Sequence, residues 1–416
     1  MEPPPTDPGR ATDVDLLLRD VVPAVLGVLL RRGERFADAE DAVQDALLVA
    51  VESWSRGGVP ARPIGWLVRV AERRVIDLHH RDTARRRREA LVGSWSAMIP
   101  SEPVVSEDDS LALLFLCCHR ALNPSAAIPL TLRAVGGLTT RQIADALLQP
   151  EATIAQRISR AKASITRSGE PFHRPPPDLI DERLPAVMQI IYLIFTEGHA
   201  ATSGQQLGCA DLADEAIRLA RMLHERLGRL GEHPETTGLL ALLLLTDARR
   251  PARTSADGDP IPLDQQDRRL WNQPMILEGL RLLTSALAEQ VMGDYRLQAA
   301  IAAVHDQAPT YAATNWAQLR ALYNLLAQRN DNPLVRLNRA VAVAHTDGPD
   351  VALGEIDALG PSLADHHRYH ATLGYFYGMA GRHDAGRAAY ETAARLARNE
   401  PERRYLQAKA ASESRA

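Results

Sequence analysis

Residues 36–82 read FADAEDAVQD ALLVAVESWS RGGVPARPIG WLVRVAERRV IDLHHRD, and two helices of opposite character can be traced in them. In the first half Val43, Ala46, Leu47, Ala50, Val51 and Trp54 recur at helical spacing, which predicts one apolar stripe. Asp38, Asp41, Asp45 and Glu52 fall on the other side and make it acidic. Arg56-Gly57-Gly58-Val59-Pro60 interrupts the pattern, because glycine and proline end helices. A second helix starts near Pro63, a residue suited to a first helical turn. Its apolar face is Ile64, Leu67, Val68, Ala71, Val75 and Leu78, and its outer face carries Trp66, Arg69, Arg73, Asp77 and His80, with Arg74 and Arg81 alongside. Carboxylates suit a basic protein surface, whereas guanidinium groups beside an aromatic ring suit phosphates and unstacked bases.

The whole chain qualifies this reading. Its 416 residues exceed one ordinary core, so two or three domains are expected. A hydrophobic content of 45% and a charged content of 24% describe an ordinary globular protein. The net charge of -4 is unlike that of a free-standing nucleic-acid binder. Yet residues 56–88 hold ten arginines against Glu72, Asp77 and Asp82, a local basic patch that fits a protein carried to DNA by a partner. Three cysteines, Cys117, Cys118 and Cys209, argue against a disulfide framework and for a reducing, cytoplasmic setting. Cys117-Cys118-His119 lacks a second ligand pair, so no metal site and no cofactor are expected. The apolar runs 111–118 and 239–245 are too short to span a bilayer.

In chain order, residues 1–12 are expected to be disordered and 13–82 to form a helical bundle, with Asp13–Arg32 packing on the pair above. Residues 83–109 read as a flexible linker. About 25 extended residues reach roughly 80 Å, enough for two major-groove sites about 70 Å apart. Residues 110–168 form a second domain with helices at Leu111–Leu122 and Ala126–Val135. Thr139, Thr140 and Gln142 then fit a capping box, and a turn at Leu148–Glu151 leads into a helix burying Ile154, Ile158, Ala161 and Ile165. That is a helix-turn-helix pattern, with Thr153, Gln156, Arg157, Arg160 and Lys162 facing outward. Arg157 or Arg160 could bond guanine bidentately, and Gln156 adenine.

Residues 169–178 are a proline-rich linker, and 179–290 a helical extension with helices at Leu179–Glu197, Ala210–Arg229, Pro234–Arg250 and Gln266–Gln290. Residues 291–412 repeat themselves. Ala340 and Gly374, Val343 and Tyr377, Ala352 and Gly386, Ile356 and Tyr390, and Leu359 and Ala393 are each 34 residues apart, the tetratricopeptide period. The expected fold class is all-α: bundle, linker, helix-turn-helix domain and C-terminal α-solenoid.

DAEDAVQDAL at 38–47, GWLVRVA at 65–71 and RRVID at 73–77 resemble region 2 of an extracytoplasmic-function sigma factor, group 4 of the sigma-70 family. EATIAQR at 151–157 resembles the start of the recognition helix in region 4 of the same proteins. IIYLIFTEG at 190–198, DARR at 247–250, DQQDRRLW at 264–271 and LNRAVA at 337–342 resemble the C-terminal extension of a subgroup with a tetratricopeptide-like tail. The resemblance implies that Asp38, Asp41, Gln44, Asp45 and Leu48 dock on the clamp coiled coil of the RNA polymerase core. It implies that Gly57 to Pro63 receives a flipped base of the -10 element, with Trp66, Arg69, Arg73, Arg74, Asp77 and Arg81 holding nearby DNA. The helix from Thr153, with Thr139 and Thr140, would read the -35 element. The resemblance also implies that the tail influences sigma activity, and that a small DGPF-motif protein, which often accompanies the subgroup, is the candidate partner of the repeats.

No phosphate loop, nucleophile elbow or His-Glu-x-x-His helix occurs, so no enzyme activity is expected. Opening about a dozen base pairs at roughly 1.4 kcal/mol each costs on the order of 17 kcal/mol, to be met by binding alone. Two other readings share parts of the pattern: a helix-turn-helix activator with a repeat-based sensor, and a helical scaffold that binds only protein. The 36–82 pair separates the first, since an activator has no use for it, and competition binding on promoter DNA with core polymerase present separates the second.

Overall fold

The computed structural model describes residues 8–86, 109–170, 172–173, 176–199, 209–286 and 292–414. Among these the chain forms nineteen α-helices, two short 3-10 turns and no strand, with one isolated bridge between Thr254 and Pro260. It divides at residue 190 into two compact units.

The first unit opens with α1 (Pro8–Arg31), α2 (Phe36–Gly57) and α3 (Pro63–Arg86). Val22, Val25, Leu26 and Leu29 of α1 are buried with Ala39, Ala42, Val43, Ala46, Ala50 and Trp54 of α2 and Leu67, Val68, Ala71 and Val75 of α3. Gly58 ends α2 at φ +80°, its N–H donated to the Trp54 carbonyl, a conformation that favours glycine. Two expected boundaries move. Helix α1 starts at Pro8 rather than Asp13, since proline suits a first turn, and α3 continues to Arg86 through the start of the expected linker. The remainder of the expected disordered terminus and linker, residues 1–7 and 87–108, lies outside the described residues.

Four helices follow: α4 (Asp109–Cys117), α5 (Pro124–Ala134), α6 (Thr140–Ala146) and α7 (Glu151–Ser168). The helix expected to reach Leu122 stops at Cys117, because Asn123 caps the next one by accepting the Ala126 N–H at 3.0 Å. The capping box of α6 is complete: Thr139 Oγ1 accepts from Gln142 N at 3.2 Å, and Gln142 Oε1 from Thr139 N at 2.9 Å. Leu148, at φ +50°, makes the turn into α7, and Gly169 ends α7 in the left-handed region.

Glu170 then accepts from Arg183 on α8 (Pro177–His199) and from His119 at 2.8 Å, so the segment expected to be a proline-rich linker is pinned at its start. Burial works to raise the Glu170 pKa, but the hydrogen bond and charge of Arg183, with His119, hold it below the usual value.

The second unit continues with α9 (Ala210–Gly228), α10 (Pro234–Asp247), α11 (Gln273–Ala286) and α12 (Asp294–Gln307). Leu239–Leu245 of α10 are all buried, which is why this run lacks a polar face. The helix expected from Gln266 begins only at Gln273, because Arg268–Leu270 form a 3-10 turn and Trp271 is buried beneath it. Then come α13 (Trp316–Arg329), α14 (Pro333–Thr346), α15 (Pro349–Asp357), the single turn α16 (Gly360–Leu363), α17 (His367–Met379), α18 (His383–Leu396) and α19 (Glu400–Glu413). Helices α14 and α17 start 34 residues apart, as do α15 and α18. Ala340 and Gly374 are both buried at equivalent places, and a methyl group at Gly374 would lie 2.9 Å from the Tyr390 ring.

Candidate functional site

Helix α2 presents its acidic residues unevenly. Asp45 is exposed, and Leu48 and Val51 beside it are 66% and 45% exposed, so Val51 does not join the buried stripe expected of it. Two large aliphatic side chains uncovered one turn apart mark a surface that gains by being covered. Asp38 is held by Arg35, whose Nε donates to Oδ2 at 2.7 Å. Gln44 is buried, its Nε2 without a hydrogen-bond partner.

Glu40, which the sequence did not single out, is the centre of this region. It is 1% exposed, with Oε1 accepting from Arg133 Nε at 2.6 Å and Oε2 from Lys162 Nζ at 2.9 Å. Lys162 also donates to Asp41 Oδ1 at 2.6 Å, and Arg133 Nη1 to Thr140 Oγ1 at 2.6 Å. Lys162 is thus buried against α2, a correction to its expected outward place. At the other end of the same contact Arg31 pairs with Asp109. Asp109 is buried so close to α1 that a methyl group at Gly27 would fall 2.5 Å from its carboxyl carbon. Asp109 therefore belongs to the packed helices, not to a linker.

The second face lies on α3 and its approach. Gly57 is exposed, Pro63 and Trp66 are half-buried, Arg69, Arg73 and Asp77 are exposed, and Arg74 is half-buried. Trp66 packs on Trp54 with ring centroids 5.5 Å apart, so the wall of this face rests on the core. The side chains of His80 and Arg81 lie outside the described residues. On α7, Gln156 and Arg160 are exposed while Thr153 and Arg157 are half-buried. Arg157, Arg160 and Arg167 line a groove of about 350 Å³ with Asn123 and Ser125 of the α5 start. Three guanidinium groups on one wall suit a phosphate backbone.

Family descriptions match this unit in order: Sigma-70 region 2 at residues 17–86 and Sigma-70 region 4 at residues 112–165. The chain belongs to the sigma-70 family. A family of unknown function (DUF6596) matches residues 183–287. An uncharacterized protein of Rhizobium meliloti (strain 1021) is 40% identical over 413 residues, covering 94% of each chain. No solved structure matches. Sigma-70 family proteins are transcription-initiation factors rather than enzymes, and their partners are RNA polymerase core and promoter DNA. Among the described residues no helix is long and apolar enough to cross a membrane, and no cluster of three metal-ligating side chains occurs. In region 4, Cys117 and Cys118 are buried thiols. Burial pushes Cys118 up to about 12 against the Thr131 hydroxyl, and raises Cys117 with help from Cys118 and Glu40.

In the C-terminal unit the Asp264–Trp271 corner is polar. Arg249 Nε donates to Asp306 Oδ1 at 2.6 Å, and Arg268 Nη1 to the carbonyls of His305 and Ala308 at 2.6 and 2.8 Å. Both guanidinium groups lie over Trp271, at 5.4 and 4.4 Å. Asp306 Oδ2, Arg268 Nη2, Trp271 Nε1 and His305 Nδ1 are buried without hydrogen-bond partners. Burial raises Asp306 to about 6, with Arg249 and Arg268 opposing, and lowers His305 to about 3, with both arginines adding.

Proposed function

We propose that this chain is a sigma factor of the extracytoplasmic-function type. In this reading Asp45 and Leu48, with Asp38 and Asp41, dock on a basic surface of the polymerase. The loop from Gly57 and the α3 face, Trp66, Arg69, Arg73, Arg74 and Asp77, hold the parted -10 strand. Gln156, Arg157 and Arg160 read the upstream element. The observation that carries the reading is the uncovered Leu48 and Val51 on the acidic side of α2, a protein-docking surface that a free-standing activator would not need. Aromatic and guanidinium side chains on the neighbouring helix supply stacking and charge, and no nucleotide hydrolysis is required. The helices from α12 to α19 act as a tetratricopeptide-like regulatory tail for a protein partner, of which the DGPF-motif protein is the candidate by family resemblance.

The test is run-off transcription with purified core polymerase, comparing wild type with Asp45→Arg plus Leu48→Arg. Loss of a central docking anchor is worth 2 kcal/mol or more, so core affinity should fall about 30-fold with unchanged helical content. Unchanged affinity removes the docking face from the account, and transcription that never depends on the protein removes the function.

A further inference from the structure

Three runs singled out in the sequence, at 190–198, 247–250 and 264–271, take no part in the roles proposed above, yet the residues that follow them meet in the C-terminal unit. Arg253 Nη1 donates to the carbonyl of His199, the last residue of α8, at 2.7 Å. The Asn272 N–H donates to the Ala248 carbonyl at 2.8 Å, and Arg249 and Arg268 share the Trp271 ring. His199 stacks on Phe195 with 5.2 Å between centroids, and its Nδ1 is buried without a hydrogen-bond partner. Four arginines act on that one imidazole: Arg253, Arg249 and Arg250 from the connection between α10 and α11, and Arg368 from α17. Burial is the largest cause of its lowered pKa, and the four charges add to it, so the ring is neutral at pH 7.

Two of the four arginines are compensated and two are not. Arg249 is bonded to Asp306, and Arg250 to Asp214 and Asp247. Arg253 bonds only a carbonyl, and among the described residues neither it nor Arg368 forms an ion pair. Asp247 and Glu402 act on Arg253 from a distance. Asp247 is already bonded to Arg250, and Glu402 lies against His367 at 3.4 Å. Desolvation is the main reason that the Arg253 pKa falls to about 10, and the charges of Arg249 and Arg368 push it the same way. Arg368 stands in the first turn of α17, the positive end of a helix, where a cation is disfavoured and an anion favoured. Arg368 is exposed and Arg253 half-buried, so solutes can reach both from outside. Like charges gathered without a counter-ion cost free energy, and an anion bound to both removes that cost.

We infer that Arg253 and Arg368, beside His199, form a binding site for the phosphate group of a small solute. Two uncompensated guanidinium groups match the double charge of a phosphate better than the single charge of a carboxylate, and their planar forks fit its oxygens. Neutral His199 can add one N–H through Nδ1. The site stands whether or not the chain is a sigma factor. It gives the C-terminal unit a small ligand in addition to the protein partner proposed for its repeats.

The experiment is calorimetric titration of the full chain at constant ionic strength, in phosphate-free buffer, with inorganic phosphate, pyrophosphate and acetate as probes. Wild type should bind one of the two phosphate ions more tightly than acetate. Preference for phosphate points to a monoester as the natural source, and preference for pyrophosphate to a diphosphate. Arg253→Gln and Arg368→Gln should each weaken that binding roughly 10- to 100-fold, the worth of a hydrogen bond to a charged group. Arg387→Gln removes an exposed arginine already paired with Glu391 at 3.1 Å and should leave binding unchanged. The Arg368 side chain has no bond to lose among the described residues, so without phosphate the thermal midpoint of Arg368→Gln should match or exceed that of wild type. A midpoint that falls while binding is unchanged assigns Arg368 to the fold and overturns the site. Equal affinity for acetate, equal weakening by Arg387→Gln, or no binding of either phosphate ion overturns it too.

Discussion

Each unit of this protein buries a carboxylate between arginines or lysines, and the two are finished differently. Glu40 has both oxygens bonded, by Arg133 and Lys162, although Nε2 of Gln44, one turn along α2, is buried without a partner. Asp306 has one oxygen on Arg249 and the other on nothing, among three more orphaned polar atoms. The first arrangement joins elements far apart in sequence and can come apart into water. The second sits inside one folded unit with no such exit, so its charge is strained in place and its pKa rises. Where a buried charge lies, at a separable contact or within a core, decides whether it serves as a fastener or as a fixed cost.

The largest expected effect breaks the second arrangement. Arg249→Ala strips Asp306 of its ion partner and should destabilise the C-terminal unit by about 3–5 kcal/mol at neutral pH, read from urea unfolding. Arg133→Gln at Glu40 should cost the fold far less, since opening lets the charge meet water. Equal losses at the two sites would erase the contrast.

The next effect sharpens it through pH. Asp306 has a folded pKa near 6, above its unfolded value of about 4, so it holds its proton more tightly when folded. Its contribution to stability is therefore greatest below pH 4 and is lost as pH rises towards 6. His305, lowered to about 3, works the opposite way: its contribution is complete above about pH 6.5 and lost as pH falls through that range. The wild-type profile mixes the two. Asp306→Asn isolates one: its stability relative to wild type should fall by about 2 kcal/mol between pH 7 and pH 4.5. A difference that does not vary with pH would show that Asp306 titrates normally.

The smallest effect concerns the repeats. Alanine at Gly374 gains up to about 1 kcal/mol of helix propensity, but its methyl group meets the Tyr390 ring at 2.9 Å, and overpacking costs about 1–3 kcal/mol. The clash should win by about 1 kcal/mol in thermal unfolding, while Ala340 tolerates its methyl group at the equivalent place.

What the sequence disclosed was local or periodic. The capping box at Thr139 and Gln142, the break at Gly58 and the 34-residue offset between α14 and α17 each depend on neighbours in the chain or on repetition, and all appear in the structure. Glu40 stayed hidden because its partners lie 93 and 122 residues away, and an acidic residue on an acidic helix looks solvated. Lys162 reads as solvated for the same reason, and Asp109 reads as linker because it closes the acidic run 107–109 after a stretch of prolines and serines. Val51 departs from the stripe that its spacing predicts, because periodicity marks an apolar stripe but not where the covering surface stops. Within the site, the outward places of Asp45, Arg69, Arg73, Gln156 and Arg160 are legible from helical spacing, because no distant part of the chain covers them.

The sigma-factor account stands most directly on strand separation. Core polymerase and this protein, mixed with a promoter it directs and probed with permanganate, should leave thymines around the -10 element reactive without any nucleotide triphosphate or second sigma. Duplex that stays unreactive under conditions where the protein binds core would contradict it.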